Sequence, residues 1–182
     1  MKMRKRKAVF IAEAAIIASL YAVLTSLLWE FSSLAIQVRV SEALCVLPVF
    51  TSSAVPGLTI GCVIANMVRG NVIDAVFGSL ATLISALLTR FLAIKLKKHS
   101  SEKWYAFLMP LPAVVVNALS IPLILYYGYG LCEFLGFESV FAVLGLYSLS
   151  VFLGQAIACY LLGMPIYYTV GKLYKKGNLE IY

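Results

Sequence analysis

Six long apolar runs, at about residues 8–28, 34–50, 54–68, 73–96, 104–127 and 139–170, leave little of this chain for water to solvate. An α-helix rises about 1.5 Å per residue, so roughly 20 apolar residues cross a hydrocarbon core of about 30 Å. A helix also satisfies its backbone groups internally, which hydrocarbon demands. Of the 182 residues 62% are hydrophobic and 13% charged, whereas a soluble domain carries about 25% charged residues. The sequence therefore predicts an all-α membrane protein, a compact bundle of about six transmembrane helices forming a single integral membrane domain over residues 1–182. Only short polar breaks separate the runs, at residues 30–33, 51–53, 69–71, 97–103 and 128–138.

The net charge of +7 reports orientation, because basic residues in a membrane chain collect on the cytoplasmic side. Lys2, Arg4, Lys5, Arg6 and Lys7 precede the first run. Lys95, Lys97, Lys98 and Lys103 follow the fourth, and Lys172, Lys175 and Lys176 follow the sixth. All are inside positions if both termini are cytoplasmic, which leaves Arg39 and Arg69 facing outward. Arg90, near the inner end of the fourth run, is expected to snorkel to that surface. The basic N-terminus precedes an apolar run longer than a signal-peptide core, so that run is expected to stay as the first span. Short loops leave no room for a nucleic-acid-binding module. Cys45, Cys62, Cys132 and Cys159 show no CxxC or Cys/His spacing and read as small packing residues, with no metal site. The single histidine, His99, lies in a polar loop. Neither paired carboxylates nor a His/Cys constellation at depth suggests an enzyme, so no catalytic residue is predicted.

Residues 34–68 are the ambiguous part. The third run has only about 15 residues, and Pro48 and Pro56 interrupt the pair. Two tilted short spans or a re-entrant pair both satisfy the charge rule. Broken helices at membrane depth are tolerated only against protein or a wet cavity, which directs attention to this region as a binding site.

Polar side chains within spans turn toward the bundle or a cavity, because hydrocarbon rejects them. With both termini inside, Arg39, Glu42, Asn66 and Asp74 fall in the outer half, and Asn117 and Gln155 near the midplane. The predicted arrangement is a polar funnel open to the outside above apolar inner halves. Arg39 and Glu42, three apart, are either an ion pair or two ligand contacts. Asp74, close to Asn71, is a candidate cap for the fourth span. Asn117 and Gln155 are either interhelical hydrogen-bond partners or ligand contacts. The tyrosines, Tyr21 included, read as interfacial belt or bundle filling. Glu13 is expected to pair with the basic run. Ala14, Ala18 and Ala22 form a small-xxx-small stripe that lets another helix approach closely, within the bundle or in a partner.

Five segments carry a resemblance: Arg39-Val-Ser-Glu-Ala-Leu-Cys-Val-Leu-Pro, Pro56-Gly-Leu-Thr-Ile-Gly-Cys, Asp74-Ala-Val-Phe-Gly-Ser-Leu-Ala-Thr-Leu, Pro112-Ala-Val-Val-Val-Asn-Ala-Leu and Ala158-Cys-Tyr-Leu-Leu-Gly-Met-Pro. In this order, from Arg39 to Pro165, the chain resembles the queuosine-precursor transporter (QueT) family, S-components of energy-coupling factor (ECF) importers. The resemblance implies a multi-pass, six-helix binding subunit of a bacterial plasma membrane that captures a 7-deazaguanine such as preQ0 or preQ1 from outside. It implies a transmembrane coupling subunit and two cytoplasmic ATPases as partners, with toppling in the membrane to release ligand inward. It also implies that Ala14, Ala18 and Ala22 meet the coupling subunit. The chain has no GxxxxGK[ST] loop, so ATP would be used by the partners, and no cofactor is expected in this chain. Arg39, Glu42, Asn66, Asn117 and Gln155 hold the donors and acceptors that a guanine-like edge requires, with Glu42 as acceptor and Asn117 as orienting amide. The rival readings are an S-component for another vitamin or purine-like micronutrient, and a stand-alone secondary transporter.

Overall fold

The computed structural model describes residues 2–28, 38–129 and 140–175, and among them every regular element is helical. Trp29, the break at 30–33, the start of the second apolar run, Cys132, most of the break at 128–138 and Lys176 lie outside the described residues. The order is α1 (Lys2–Leu27), a 3-10 helix (Val40–Val49), α2 (Ala54–Val68), and a π-helical turn (Asp74–Gly78) running into α3 (Ser79–Lys95). Then come α4 (Lys103–Leu108), α5 (Leu111–Tyr129), α6 (Val140–Ala156), a second π-helical turn (Ile157–Leu162) and α7 (Gly163–Lys175).

Four apolar segments are long enough to cross a membrane: Lys7–Leu27, Asp74–Lys95, Lys103–Tyr129 and Val140–Leu173. The chain is thus an all-α membrane bundle. The expected second and third spans are shorter than the others. A 3-10 helix rises about 2.0 Å per residue, so Val40–Val49 covers about 20 Å, and α2 about 22 Å, against a core of about 30 Å. They form a hairpin whose turn, at residues 50–53, lies beside Glu13 in the first half of α1. Its open ends, Arg39 and Arg69, lie at the opposite end of the bundle, near Asp74.

The 3-10 arm of this hairpin is the centre of the bundle, while α2 turns Ile60, Val63, Ile64, Met67 and Val68 outward. Seven of the ten residues of the 3-10 helix are buried, from Ser41 to Val46 and at Pro48. Its slender cross-section admits close neighbours: a Cβ on Gly163 would lie 3.1 Å from the carbonyl oxygen of Ala43. The helix ends at Val49, one residue after Pro48, and Arg90 donates to the terminal carbonyls of Pro48 (3.2 Å) and Val49 (3.4 Å). Arg90 is therefore a C-terminal cap rather than merely a snorkelling cation. Glu13 likewise accepts from Thr51 (2.9 Å) and Ser53 (2.6 Å), fastening the hairpin turn to α1.

Around this centre the long helices are sorted by side-chain size. α3 buries Ser79, Ala81, Thr82, Ser85, Ala86, Thr89 and Ala93 and exposes Leu80, Ile84, Leu87, Leu88, Phe91 and Ile94. Lipid offers no hydrophobic drive between helices, so small residues set the contacts and large ones face the acyl chains. At the basic end an apolar cluster of Val46, Phe50, Tyr105, Met109, Val114 and Tyr167 closes the bundle. The loop there is tied by Glu102, whose carboxyl lies below the usual carboxylate range because His99, at 2.8 Å, and Trp104 both hydrogen bond to it.

Candidate substrate site and family

The site grows from the entrance of the 3-10 helix. Glu42 stands in its first turn, buried among helices. A carboxyl group at this depth is tolerated only with donors around it, and two converge on it. Tyr21 Oη donates to Glu42 Oε1 at 2.5 Å, and the Asn117 amide donates to the same carboxyl. α1 thus supplies the phenol, the hairpin the acid and α5 the amide. Thr25, one turn after Tyr21, donates to Ser41 at 2.7 Å and fixes the same face of α1 against the 3-10 helix.

The second π-helical turn forms the far side. Cys159 Sγ reaches the backbone oxygen of Glu42 (3.6 Å) and Gln155 Oε1 (3.7 Å), so the deeply buried Gln155 joins the cluster through a thiol. On the near side Arg39 forms its ion pair with Asp74, at 3.8 Å. Asn71 Nδ2 donates to Asp74 Oδ2 (2.8 Å), Asn71 Oδ1 accepts from the Asp74 backbone N–H (3.2 Å), and Tyr129 Oη donates to Asn71. The cap is therefore Asn71, and Asp74 is the group being capped. Gly70, with φ +71°, supplies the left-handed residue that turns α2 toward Asn71. Asn66 closes this side, its Nδ2 donating to the backbone oxygen of Asp74 (3.2 Å) and to Cys62 Sγ (3.4 Å).

All five polar residues proposed from the sequence are thus linked in one cluster. Glu42 and Asn117 touch directly, Gln155 joins through Cys159, and Arg39 and Asn66 meet at Asp74. The Glu42 backbone N–H donates to the Arg39 backbone oxygen at 3.0 Å, which joins the two sides. Of the alternatives left open by sequence, Arg39 pairs with Asp74 rather than closing on Glu42, and Asn117 turns to Glu42. Tyr21, read as filling, is the missed member, only 1% exposed. The signal was present in its spacing, since Tyr21 and Thr25 continue the face that Ala14 and Ala18 begin.

Two residues of the alanine stripe lie against another helix of the same chain. A Cβ on Gly57 would stand 2.9 Å from the Ala14 backbone oxygen, and one on Gly61 2.7 Å from that of Ala18. Ala14 and Ala18 therefore face α2 of the same chain, and Ala18 is only 6% exposed. Ala22 is half-buried at the edge of this contact.

Such a cluster, polar, buried and enclosed by helices with lipid-facing exteriors, offers hydrogen-bonding groups to a small polar molecule. A family model described as QueT transporter matches residues 11–172. A queuosine precursor transporter QueT from Lactococcus lactis subsp. cremoris (strain MG1363) is 38% identical over 84 residues, which are 45% of this chain and 50% of that protein. The alignment thus spans half the length of that relative. No solved structure matches. Long apolar helices, a buried polar centre and a family match across nearly the whole chain converge: this is a multi-pass membrane protein of a transporter family, and the chain belongs to the QueT transporters.

Proposed function

We propose that the chain is the substrate-binding S-component of an ECF-type importer and captures a queuosine precursor, a 7-deazaguanine such as preQ0 or preQ1, outside the cell. The observation that carries the reading is the convergence of Tyr21 and Asn117 on the buried Glu42. A carboxyl group has about four lone-pair sites, so two donors from the protein leave acceptors for the adjacent N–H groups of a guanine-like edge. Asn117, Gln155 and Arg39 supply amide and guanidinium donors for the ligand carbonyl, and Asn66 lines the wall opposite. In this orientation the Arg39 end is extracellular and the lysine-rich end cytoplasmic, with both termini inside, as the basic clusters favour. The apolar cluster beneath the site then keeps ligand from leaking inward.

Energy would come from two cytoplasmic ATPases through a transmembrane coupling subunit. With Ala14 and Ala18 covered by α2, the face of α1 left for that subunit is the exposed line Ala8, Ala12, Ala15 and Ser19, with Ala22 at its border. These residues recur at helical spacing and let a second helix come close. The test is mass spectrometry of what the purified chain retains, followed by titration with 7-cyano-7-deazaguanine. Retention of a 7-deazaguanine and binding abolished by Glu42→Ala are the expected results; a different retained compound, or none with no binding, overturns the assignment.

A further inference from the structure

The cluster around Glu42 leaves one wall without a role. Among the described residues, two buried side-chain oxygens have no hydrogen-bond partner, Asn66 Oδ1 and Ser79 Oγ. They are 1% and 3% exposed. Both belong to the same junction. Asn66 sits in the last turn of α2, and Ser79 opens α3 directly after the first π-helical turn. The Asn66 amide nitrogen donates to Asp74, the first residue of that turn, and lies 3.9 Å from where a Cβ on Gly78 would stand.

With Asn66 Nδ2 held by the Asp74 backbone oxygen and Cys62 Sγ, Oδ1 is the end of the amide left over. Asp74, which accepts from Asn66, is ion-paired with Arg39 at 3.8 Å, and the Arg39 backbone oxygen accepts from the Glu42 N–H at 3.0 Å, so this wall adjoins the carboxyl cluster. The other hydroxyls on the same buried face of α3 show what Ser79 does not do. Thr82 donates to the Gly78 backbone oxygen (3.1 Å), Ser85 to that of Thr82 (2.9 Å) and Thr89 to that of Met109 (3.4 Å). Buried polar groups are nearly always paired, and an orphan is costly unless something outside the chain pairs with it. That the orphans adjoin a π-helical turn agrees with the tendency of such turns to occur at functional sites.

We propose that Asn66 Oδ1 and Ser79 Oγ form a second ligand subsite on the α2–α3 wall, reading a neighbouring donor and acceptor on one edge of a flat heterocycle. Asn66 Oδ1 accepts an N–H of the ligand, and the Ser79 hydroxyl donates to the ring nitrogen beside it. The inference rests on the 7-deazaguanine reading: the exocyclic amine and the adjacent ring nitrogen N3 of that heterocycle are such a pair, while its N1–H and carbonyl face Glu42 and Asn117. Ser79 thereby becomes a specificity residue, and Asn66 contacts the ligand through its oxygen rather than its nitrogen.

The experiment measures binding of 7-cyano-7-deazaguanine and of its analogue lacking the exocyclic amine, with thermal unfolding of the ligand-free protein alongside. Ser79→Ala is expected to weaken 7-cyano-7-deazaguanine binding about tenfold while leaving unfolding unchanged or slightly raised, because an unpaired buried hydroxyl has been removed. Loss of the amine is expected to cost about tenfold in the wild-type chain and much less in Asn66→Leu. Wild-type affinity in both variants, as a resident water on these oxygens predicts, overturns the subsite, and so does a Ser79→Ala protein that unfolds earlier in step with its lost affinity. A wild-type chain that binds neither compound fails before any substitution is made; that result rejects the 7-deazaguanine reading and the subsite with it.

Discussion

Glu42 shows how a single buried acid organises the site. Its partners arrive from separate helices, so each hydrogen bond is also a tertiary contact. Tyr21→Phe removes the phenolic donor and leaves its ring in place. We expect a loss of about 1–3 kcal/mol in thermal or denaturant unfolding of the purified protein, together with weakened ligand retention; unchanged unfolding and retention would show that the phenol only fills space. Depth along the chain is enough to nominate Glu42, Asn117 and Gln155 from sequence, because polar groups cannot face acyl chains. Depth says nothing about which neighbour each side chain meets. The Arg39–Asp74 pair depends on how the α2–α3 turn folds back at Gly70 and Asn71, over a separation that no helical spacing relates.

Elements meet here by subtraction of side chains. α1 and α2 approach so closely at Gly57 and Gly61 that an added Cβ at Gly61 would lie 2.7 Å from a backbone oxygen. Gly61→Val should separate the two helices, cost about 1–3 kcal/mol or more and withdraw Tyr21 from Glu42. Gly145→Ala, where nothing lies within 4 Å, is the matched control and should unfold like wild type; equal behaviour of the two in size-exclusion and unfolding assays would refute the close contact. The same geometry separates two small-residue faces of α1. Ala12→Leu with Ala15→Leu alters only the exposed face and is expected to reduce ATP-driven uptake at least tenfold with binding retained. Ala18→Leu disturbs the bundle itself and is expected to lose both. Small-xxx-small spacing is visible in sequence, but α1 carries two such lines and packing alone assigns one of them to α2.

At the scale of the molecule, the short 3-10 helix sits at the centre and longer helices surround it, so the least membrane-like piece is the most enclosed. Its polar entrance, the site and the basic end succeed one another along the bundle. If the lysine-rich end is cytoplasmic, a cysteine placed at Lys98 in a Cys132→Ser background should react with an impermeant maleimide only after the membrane is opened. One placed at Gly70 should react in intact cells. Labelling in the reverse order would invert the orientation and contradict capture from outside. The remaining cysteines, Cys45, Cys62 and Cys159, are buried and should contribute little background.

Hydrophobicity, charge position and helical length are properties of the chain itself, and they suffice for an all-α membrane bundle whose polar residues gather inside. That much was determined by sequence, because transfer to hydrocarbon depends on residue type and run length rather than on partners. Other features were decided by the tertiary structure alone: the 3-10 form and central place of Val40–Val49, the partnership of Tyr21 with Glu42, the capping of that helix by Arg90, and the orphaned oxygens of Asn66 and Ser79. Each depends on the rotation of one helix about its axis relative to another. Rotation is set by which small side chains let two backbones meet, and only the packed bundle supplies that information.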